Sequence, residues 1–222
     1  MYSLISLFCL STQIHRALSQ VTAVPDHIEV PTPNPLYMPD LIVFDTDHLL
    51  WPYWLDIETR PPYRKNMTTG EVFDLEGKPI KLYPEVKTIL KRLKQQDLTL
   101  AIASRCKDTM ATKSLLELLE LKKYFRYTVI KSGNKRFHFD KLRDESCVEF
   151  EDMLFYDAEA RNIIATGRIG VPSILVRDGL DEEIFDEGLG RFAKMKQMKR
   201  TGPFPLAPMS SEAKIDNKGR GS

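Results

Sequence analysis

Six side chains suited to phosphoryl chemistry follow short apolar segments that are typical of buried strands. They are Asp45, Asp47, Ser104, Arg105, Lys135 and Asp157. Two aspartates spaced two residues apart can divide the work of phosphoryl transfer. Asp45 can attack phosphorus and bind a divalent cation, while Asp47 can protonate the leaving oxygen and later deprotonate water. The spacing therefore predicts a catalytic pair formed by Asp45 and Asp47.

The other four side chains suit the binding of a phosphoryl group and a metal ion. The Ser104 hydroxyl can donate to a phosphoryl oxygen, and Lys135 can offset the negative charge there. Arg105 adjoins Ser104 and is predicted to bind substrate as well. Asp157 supplies a further carboxylate, so the acids offer enough hard oxygen for Mg²⁺, with water in the remaining positions.

Residues 40–193 alternate strand-like apolar runs with helical ones. Strands are predicted at 40–45, 98–104, 127–131, 152–157 and 172–176. Helices are predicted to begin at 83–85 and to cover 107–120, 137–145, 158–166 and 181–196. This alternation predicts an α/β fold, a parallel sheet of about five strands flanked by helices on both faces. In such folds ligands bind beyond the carboxyl ends of the strands, so the six side chains should meet there. Any one of these aspartates taken alone would more often be a helix cap or a turn residue.

The segment 51–82 interrupts this alternation. It carries the aromatic residues Trp51, Tyr53 and Trp54, and Glu76-Gly77 forms a plausible turn between short strands at 71–75 and 79–83. We interpret the segment as a hairpin flap inserted after the first strand, which would be a minimal cap. Its aromatic residues are expected to serve packing more than substrate contact.

Both ends of the chain differ in composition from the domain predicted at 38–196. Residues 1–37 include a proline-rich linker and are predicted to be a disordered extension, in which 1–19 weakly resembles a secretory signal. Residues 197–222 are predicted to be a basic, disordered tail.

Charge and composition exclude several classes of partner. The 222 residues carry a net charge of +1, which gives no electrostatic case for nucleic acid. The sequence has no apolar run long enough to span a membrane, and its three scattered cysteines form neither a disulfide framework nor a CxxC metal site. We therefore expect a cytoplasmic protein, a monomer without a nucleic-acid or membrane partner, whose substrate is a phosphorylated small molecule or phosphoprotein.

The order of these motifs resembles that of the haloacid dehalogenase (HAD) superfamily: DxD, then Ser, then Lys, then Asp after a strand. A closer resemblance, to the magnesium-dependent phosphatase-1 family, rests on FDTDHLLWPYWLD, LYPEV, ASR, HF, ARNI, GRIGV and VRDGL. The stretches are spread over residues 42–195.

The resemblance implies a Rossmann-like sheet with a central nucleophile strand and a Mg²⁺-dependent phosphatase that forms an aspartyl-phosphate. It implies that Asp45 is the nucleophile and a metal ligand, and that Asp47 is the general acid and base whose backbone carbonyl also reaches the metal. Ser104 and Lys135 would hold the phosphoryl group, and Asp157 would be a metal ligand. Family substrates are of the phosphotyrosine and sugar-phosphate types.

Two positions depart from the family pattern. Leu49 stands where DxDxT has threonine, and Ala158 stands where a second acid is expected. Loss of such supporting groups can cost roughly 10–100-fold in metal affinity or activity. An alternative hypothesis is therefore a degenerate HAD-fold binding protein with weak or no turnover. His48, within the first motif, is interpreted as a bystander because Asp47 already covers proton transfer.

Overall fold

The computed structural model describes residues 37–201. In chain order the strands are β1 (Leu41–Phe44), β2 (Arg64–Lys65), β3 (Val72–Phe73), β4 (Pro79–Ile80), β5 (Leu100–Ser104), β6 (Tyr127–Ile130), β7 (Met153–Asp157) and β8 (Ser173–Leu175). The α-helices are α1 (Leu55–Glu58), α2 (Val86–Gln95), α3 (Thr109–Leu118), α4 (Lys135–Ser146), α5 (Ala160–Gly167) and α6 (Glu182–Thr201).

Five parallel strands form the predicted sheet, in the order β6-β5-β1-β7-β8. Strand β1 lies at the centre because each of its four residues is apolar and fully buried. Successive side chains of a strand point to opposite faces. Accordingly, Ile42 and Phe44 belong to one core cluster, and Leu41 and Val43 belong to another.

The two core clusters assign the helices to the two faces of the sheet. Helices α2, α3 and α6 contribute apolar residues to the cluster that contains Ile42 and Phe44. Helices α4 and α5 cover the opposite face, with Phe139 and Leu142 of α4 fully buried against it. The predicted α/β architecture with helices on both faces is confirmed.

Helix α4 begins two residues earlier than predicted. The side chain of Asn134 accepts a hydrogen bond from the backbone N–H of Arg136 at 2.9 Å, so Asn134 is the N-cap and Lys135 is the first helical residue. Sequence patterning missed this start because the first turn carries charged residues and no apolar periodicity. The consequence is functional, since the cap holds Lys135 at the edge of the sheet.

The flap contains a three-stranded antiparallel sheet, β2-β3-β4, whereas a two-stranded hairpin was predicted. Each strand has only two residues because Asp74 organises the turn: its carboxylate accepts hydrogen bonds from the backbone N–H groups of Arg60, Glu76 and Lys78. Strand β2 was not predicted because Arg64-Lys65 has no apolar alternation.

Helix α6 extends past the predicted boundary at residue 196 and ends at Thr201. Its last turns are held by acids that precede β7, with Lys196 Nζ 2.6 Å from Asp152 and Lys199 Nζ 2.5 Å from Glu151. The first residues of the predicted tail are therefore helical. The predicted extension, the weak signal at 1–19 and the rest of the tail lie outside the described residues. Within residues 37–201, no helix is both long and apolar enough to cross a bilayer.

Candidate active site

The loop after β1 carries Asp45 and Asp47 at the carboxyl edge of the sheet. The backbone N–H of Asp45 bonds to the carbonyl of Tyr156 at 3.0 Å, which continues the pairing between β1 and β7. The carbonyl of Thr46 then accepts hydrogen bonds from the N–H groups of Leu49 and Leu50 at 3.2 and 2.9 Å. This tight turn buries both aspartates, which are 4% and 9% exposed.

Lys135 joins Asp45 to Asp157. Its ammonium Nζ lies 2.6 Å from Asp45 Oδ1 and 3.3 Å from Asp157 Oδ2, and it also donates to the carbonyl of Ala103. All three charged side chains are buried. Because a single nitrogen atom contacts both carboxylates, the ends of β1 and β7 and the start of α4 meet as the sequence predicted.

Asp157 is oriented by two groups from the turn and helix that follow it. Its Oδ1 accepts the N–H of Glu159 at 2.7 Å, and its Oδ2 accepts the side-chain amide of Asn162 at 2.9 Å. Asn162 lies on α5 and is nearly fully buried. The same amide group accepts from the guanidinium of Arg105 at 3.3 Å, so Asn162 connects Asp157 to Arg105.

The Asp47 carboxylate is directed toward the flap side. Its Oδ1 accepts the indole N–H of Trp51 at 3.0 Å, and its Oδ2 accepts the backbone N–H of Leu55 at 3.2 Å. Burial raises the pKa of Asp47 to about 6, although these two donors work in the opposite direction. A carboxyl with a pKa near neutrality can both give and take a proton at physiological pH.

Burial also raises the pKa of the other two acids. The pKa of Asp157 rises to about 7, chiefly through desolvation and then through the neighbouring charge of Asp45, with Lys135 opposing. Desolvation likewise raises the pKa of Asp45, against the charge and hydrogen bond of Lys135. One ammonium therefore does not fully compensate two buried carboxylates, and this site favours additional positive charge.

Ser104 is the last residue of β5 and is 1% exposed. Its Oγ lies 2.7 Å from the Oγ1 of Thr46 and accepts a long hydrogen bond, 3.4 Å, from the backbone N–H of Cys106. Its carbonyl is 2.8 Å from the Nε2 of His138, a buried residue of α4. Arg105 turns outward, and its Nε donates to the carbonyl of Gly133 at 2.8 Å.

A cavity of about 220 Å³ opens above these groups. Its lining includes Asp45, Asp47, Ser104, Arg105, Trp54, Asp56, Ile57, Cys106, Lys107, Glu159 and Arg161. Lys135 and Asp157 do not line it; they lie behind Asp45, where their side chains are fully inaccessible. The polar cavity therefore lies above a buried layer of charge formed by Lys135 and Asp157.

The donor set fits Mg²⁺ through two carboxylates. Residues 37–201 contain no converging group of three His, Cys, Asp or Glu side chains, because the Asp47 carboxylate is bonded to Trp51 and Leu55. The resemblance implied metal contacts from the side chains of Asp45 and Asp157 and from the backbone of Asp47, a set that needs no third carboxylate. Mg²⁺ commonly binds one or two protein carboxylates and keeps several waters. Asp45 and Asp157 supply hard oxygens of that kind.

The two departures from the family pattern have different settings. Leu49 is fully buried in the apolar core, where a hydroxyl would meet apolar neighbours. Ala158 follows Asp157 directly, and the next acid, Glu159, does not replace a metal ligand. Its carboxylate pairs with Arg161 and lies 3.5 Å from Arg105 at the mouth of the cavity.

Three site residues were missed by sequence reasoning: Thr46, Trp51 and Asn162. Trp51 was interpreted as a packing residue, and it is fully buried, but its indole N–H also binds Asp47. Its only local signal is a spacing of four residues from Asp47. Asn162 lies in the quoted ARNI motif, yet nothing in that motif shows which carboxylate its amide faces. Thr46 occupies the variable position of DxD, so its type carried no signal.

The buried aspartates and the lysine lie at the carboxyl edge of a parallel α/β sheet, which is where such folds bind their ligands. The family model described as acid phosphatase matches residues 37–195. Human magnesium-dependent phosphatase 1 is 39% identical over 166 residues, which cover 75% of this chain and 92% of that protein. A HAD-like hydrolase superfamily protein of Schizosaccharomyces pombe is 31% identical over 134 residues, covering 56% of this chain and 78% of that protein.

The chain therefore belongs to the acid phosphatase family, among the relatives of magnesium-dependent phosphatase 1, and the resemblance found in its motifs is confirmed. A solved HAD-superfamily hydrolase from Ehrlichia chaffeensis covers 72% of this chain and 98% of its own, with 15% identity and a TM-score of 0.49. That likeness is too low to support any conclusion about function.

Proposed function

We propose that this protein is a Mg²⁺-dependent phosphatase that hydrolyses phosphomonoesters through a phosphoryl group carried on Asp45. One observation carries the proposal: Lys135 contacts both Asp45 and Asp157 beneath a cavity that Asp45, Asp47 and Ser104 share. The name of its human relative, magnesium-dependent phosphatase 1, supports the same activity and the same metal.

In the first step a carboxylate oxygen of Asp45 attacks phosphorus, and the bond from phosphorus to the ester oxygen breaks. Asp47 gives its proton to that leaving oxygen, which departs as an alcohol or phenol. In the second step Asp47 takes a proton from water, and the water oxygen attacks phosphorus. The bond to Asp45 breaks, which releases inorganic phosphate and restores both aspartates.

The remaining side chains bind and orient the phosphoryl group. The Ser104 hydroxyl donates to a phosphoryl oxygen, and Lys135 favours the ionised form of Asp45 and directs its carboxylate. Asp45, Asp157 and the carbonyl of Asp47 would hold Mg²⁺, which would supply positive charge to the phosphoryl oxygens and to the crowded acids.

The shape of the site supports phosphorylated small molecules or protein side chains as substrates. The cavity is small, and its lining includes Trp54, Ile57 and Arg105, which would contact the leaving group of a substrate. Trp54 offers an aromatic surface there, and Ile57 is 70% exposed. We therefore propose aryl phosphates, including phosphotyrosine, ahead of sugar phosphates.

The test is Mg²⁺-dependent hydrolysis of para-nitrophenyl phosphate, with and without chelator, by the wild type and by Asp45→Asn. Asp97→Asn is a matched control, because Asp97 is an exposed aspartate with a φ of 56° that asparagine also adopts. We expect turnover in the wild type and the control only. In Asp47→Asn the labelled phosphoenzyme should accumulate, since this leaving group needs no proton but the second step needs a base.

Absence of Mg²⁺-dependent turnover above the Asp45→Asn background would contradict the proposal. The alternative, a HAD-fold protein that binds a phosphorylated partner with weak or no turnover, is favoured by Leu49 and Ala158. It predicts that the wild type binds inorganic phosphate in the presence of Mg²⁺ but does not turn over any member of a panel of phosphorylated metabolites and phosphopeptides.

A further inference from the structure

The hydroxyl of Thr46 lies between the two motifs that form the phosphoryl site. It is 2.7 Å from the Oγ of Ser104, which is 58 residues away in the sequence, and it is the donor of a longer contact, 3.4 Å, to Oδ1 of Asp47. Thr46 is fully buried. Its side chain therefore makes a direct polar contact between the nucleophile loop and the end of β5.

The direction of the hydrogen bond between the two hydroxyls decides what Ser104 can do. A hydroxyl has one proton and two lone pairs. If Thr46 gives its one proton to Ser104 at 2.7 Å and not to the more distant Asp47 at 3.4 Å, one lone pair of Ser104 is used by Thr46 and the other by the N–H of Cys106. The Ser104 proton is then free to point into the cavity toward a phosphoryl oxygen. If Ser104 donates instead, its proton is turned away from the cavity.

The contact between Thr46 and Ser104 matters because Leu49 stands where the DxDxT pattern has a threonine hydroxyl. Leu49 is fully buried among apolar residues and has no hydroxyl to offer to the loop. Thr46 is three residues earlier in the same loop, and its hydroxyl reaches across to the neighbouring strand. Because threonine is branched at Cβ, its χ1 is restricted, which reduces the entropy lost on orienting the hydroxyl.

We infer that Thr46 is a positioning residue for phosphate binding: its hydroxyl donates to Ser104 and directs the serine proton toward the phosphoryl group. The inference rests on the proposed function, because phosphate binding at Ser104 is part of that reaction, but its test does not require turnover. Thr46 acts through Ser104 and does not itself contact the phosphoryl group.

The test measures equilibrium binding of inorganic phosphate to the full chain in the presence of Mg²⁺, by calorimetry. Thr46→Val keeps the shape of the side chain and removes the hydroxyl, so we expect the dissociation constant to rise roughly three- to tenfold. Thr46→Ser restores a hydroxyl and should bind within about twofold of the wild type, since the same hydrogen bond can form.

A matched control is Thr166→Val. Thr166 is also fully buried, and its Oγ1 makes a similar contact, 2.8 Å, with the Oγ of Ser173 away from the cavity. This variant loses an equivalent threonine–serine contact and should bind phosphate as the wild type does. The combination of Thr46→Val with Ser104→Ala should bind no more weakly than Ser104→Ala alone, because Thr46 acts only through that serine.

Three results would overturn the inference: unchanged phosphate affinity in Thr46→Val, no recovery in Thr46→Ser, or a further loss from Thr46→Val in the Ser104→Ala background. Lack of any phosphate binding by the wild type would overturn it as well. A steady-state assay distinguishes this from failure of the proposed function. If the wild type turns over, Thr46→Val should raise KM more than it lowers kcat; if the wild type shows no turnover, the binding result still decides the role of Thr46.

Discussion

The indole Nε1 of Trp51 donates a hydrogen bond of 3.0 Å to Oδ1 of Asp47, and both side chains are buried. The other oxygen of Asp47 accepts the N–H of Leu55, so both oxygens face donors from the beginning of the flap. The flap therefore orients the proposed general acid. A segment that resembles a simple cap therefore contributes to the proposed proton transfer, because it orients the carboxylate of Asp47.

Trp51→Phe should impair proton donation to the leaving group. Phenyl phosphate needs a proton on its leaving oxygen, whereas para-nitrophenyl phosphate leaves without one. We expect the fall in kcat/KM to be at least roughly tenfold larger for phenyl phosphate than for para-nitrophenyl phosphate. This difference is part of the roughly 10²–10⁴-fold acceleration that general acid catalysis supplies. Equal losses for the two substrates, measured by phosphate release, would show that Trp51 acts only in packing.

Asp47 should make the metal-free protein less stable at neutral pH than at mildly acidic pH. Its pKa is about 6 in the folded protein against 3.8 ordinarily, so folding disfavours its ionised form. The penalty, up to about 3 kcal/mol, is complete above the folded pKa and disappears as the pH falls toward the unfolded value. Urea denaturation in chelator should show the free energy of unfolding of the wild type rising relative to Asp47→Asn between pH 7 and pH 4. A constant difference would contradict this.

Lys135→Met should destabilise the protein strongly, because it leaves Asp45 and Asp157 buried without a counter-charge. We expect a loss of about 3–5 kcal/mol at pH 8.5 in chelator. The loss should shrink at pH 5.5, which lies below the pKa of about 7 of Asp157, so that this carboxylate protonates. Lys131→Met, at an exposed lysine, is the control and should be nearly neutral. A small, pH-independent effect of Lys135→Met would argue against its bridging role.

Ala158→Asp should strengthen metal binding. The new carboxylate would adjoin Asp157 at the end of β7, where Glu159 is already engaged by two arginines. We expect the Mg²⁺ concentration for half-maximal activity to fall roughly 10–100-fold. Ala158→Asn supplies a polar side chain of similar size without the charge and should change it much less. Identical Mg²⁺ dependence in both variants would mean that position 158 does not face the metal.

Leu49→Thr should reduce stability without improving catalysis, because the side chain is fully buried in the apolar core. Removing buried methyl groups and adding a hydroxyl should cost about 2 kcal/mol or more in free energy of unfolding. Chemical denaturation and kcat, measured on the same preparation, test this. A large gain in kcat would instead support the degenerate-protein hypothesis, in which the missing threonine limits turnover.

Much of the fold could be predicted locally. The apolar segments that became β1, β5 and β7 are buried on both faces, and the helix predicted to begin at 83–85 is α2, whose residues Val86, Ile89, Leu90 and Leu93 are buried. The errors fall where the local sequence pattern is weak, as in the charged first turn of α4 and the two-residue strands of the flap around Asp74. Another error concerns the last turns of α6, which are held by ion pairs with Glu151 and Asp152.

The sequence by itself determined which groups reach the carboxyl edge of the sheet, because parallel strands that alternate with helices all end at the same edge. Only the tertiary structure decided how those groups share their contacts. It placed one ammonium between Asp45 and Asp157, turned the Asp47 carboxylate to Trp51, and brought Thr46 to Ser104. Such contacts depend on the directions and burial of side chains that are far apart in the chain. Local periodicity in the sequence carries no information about them.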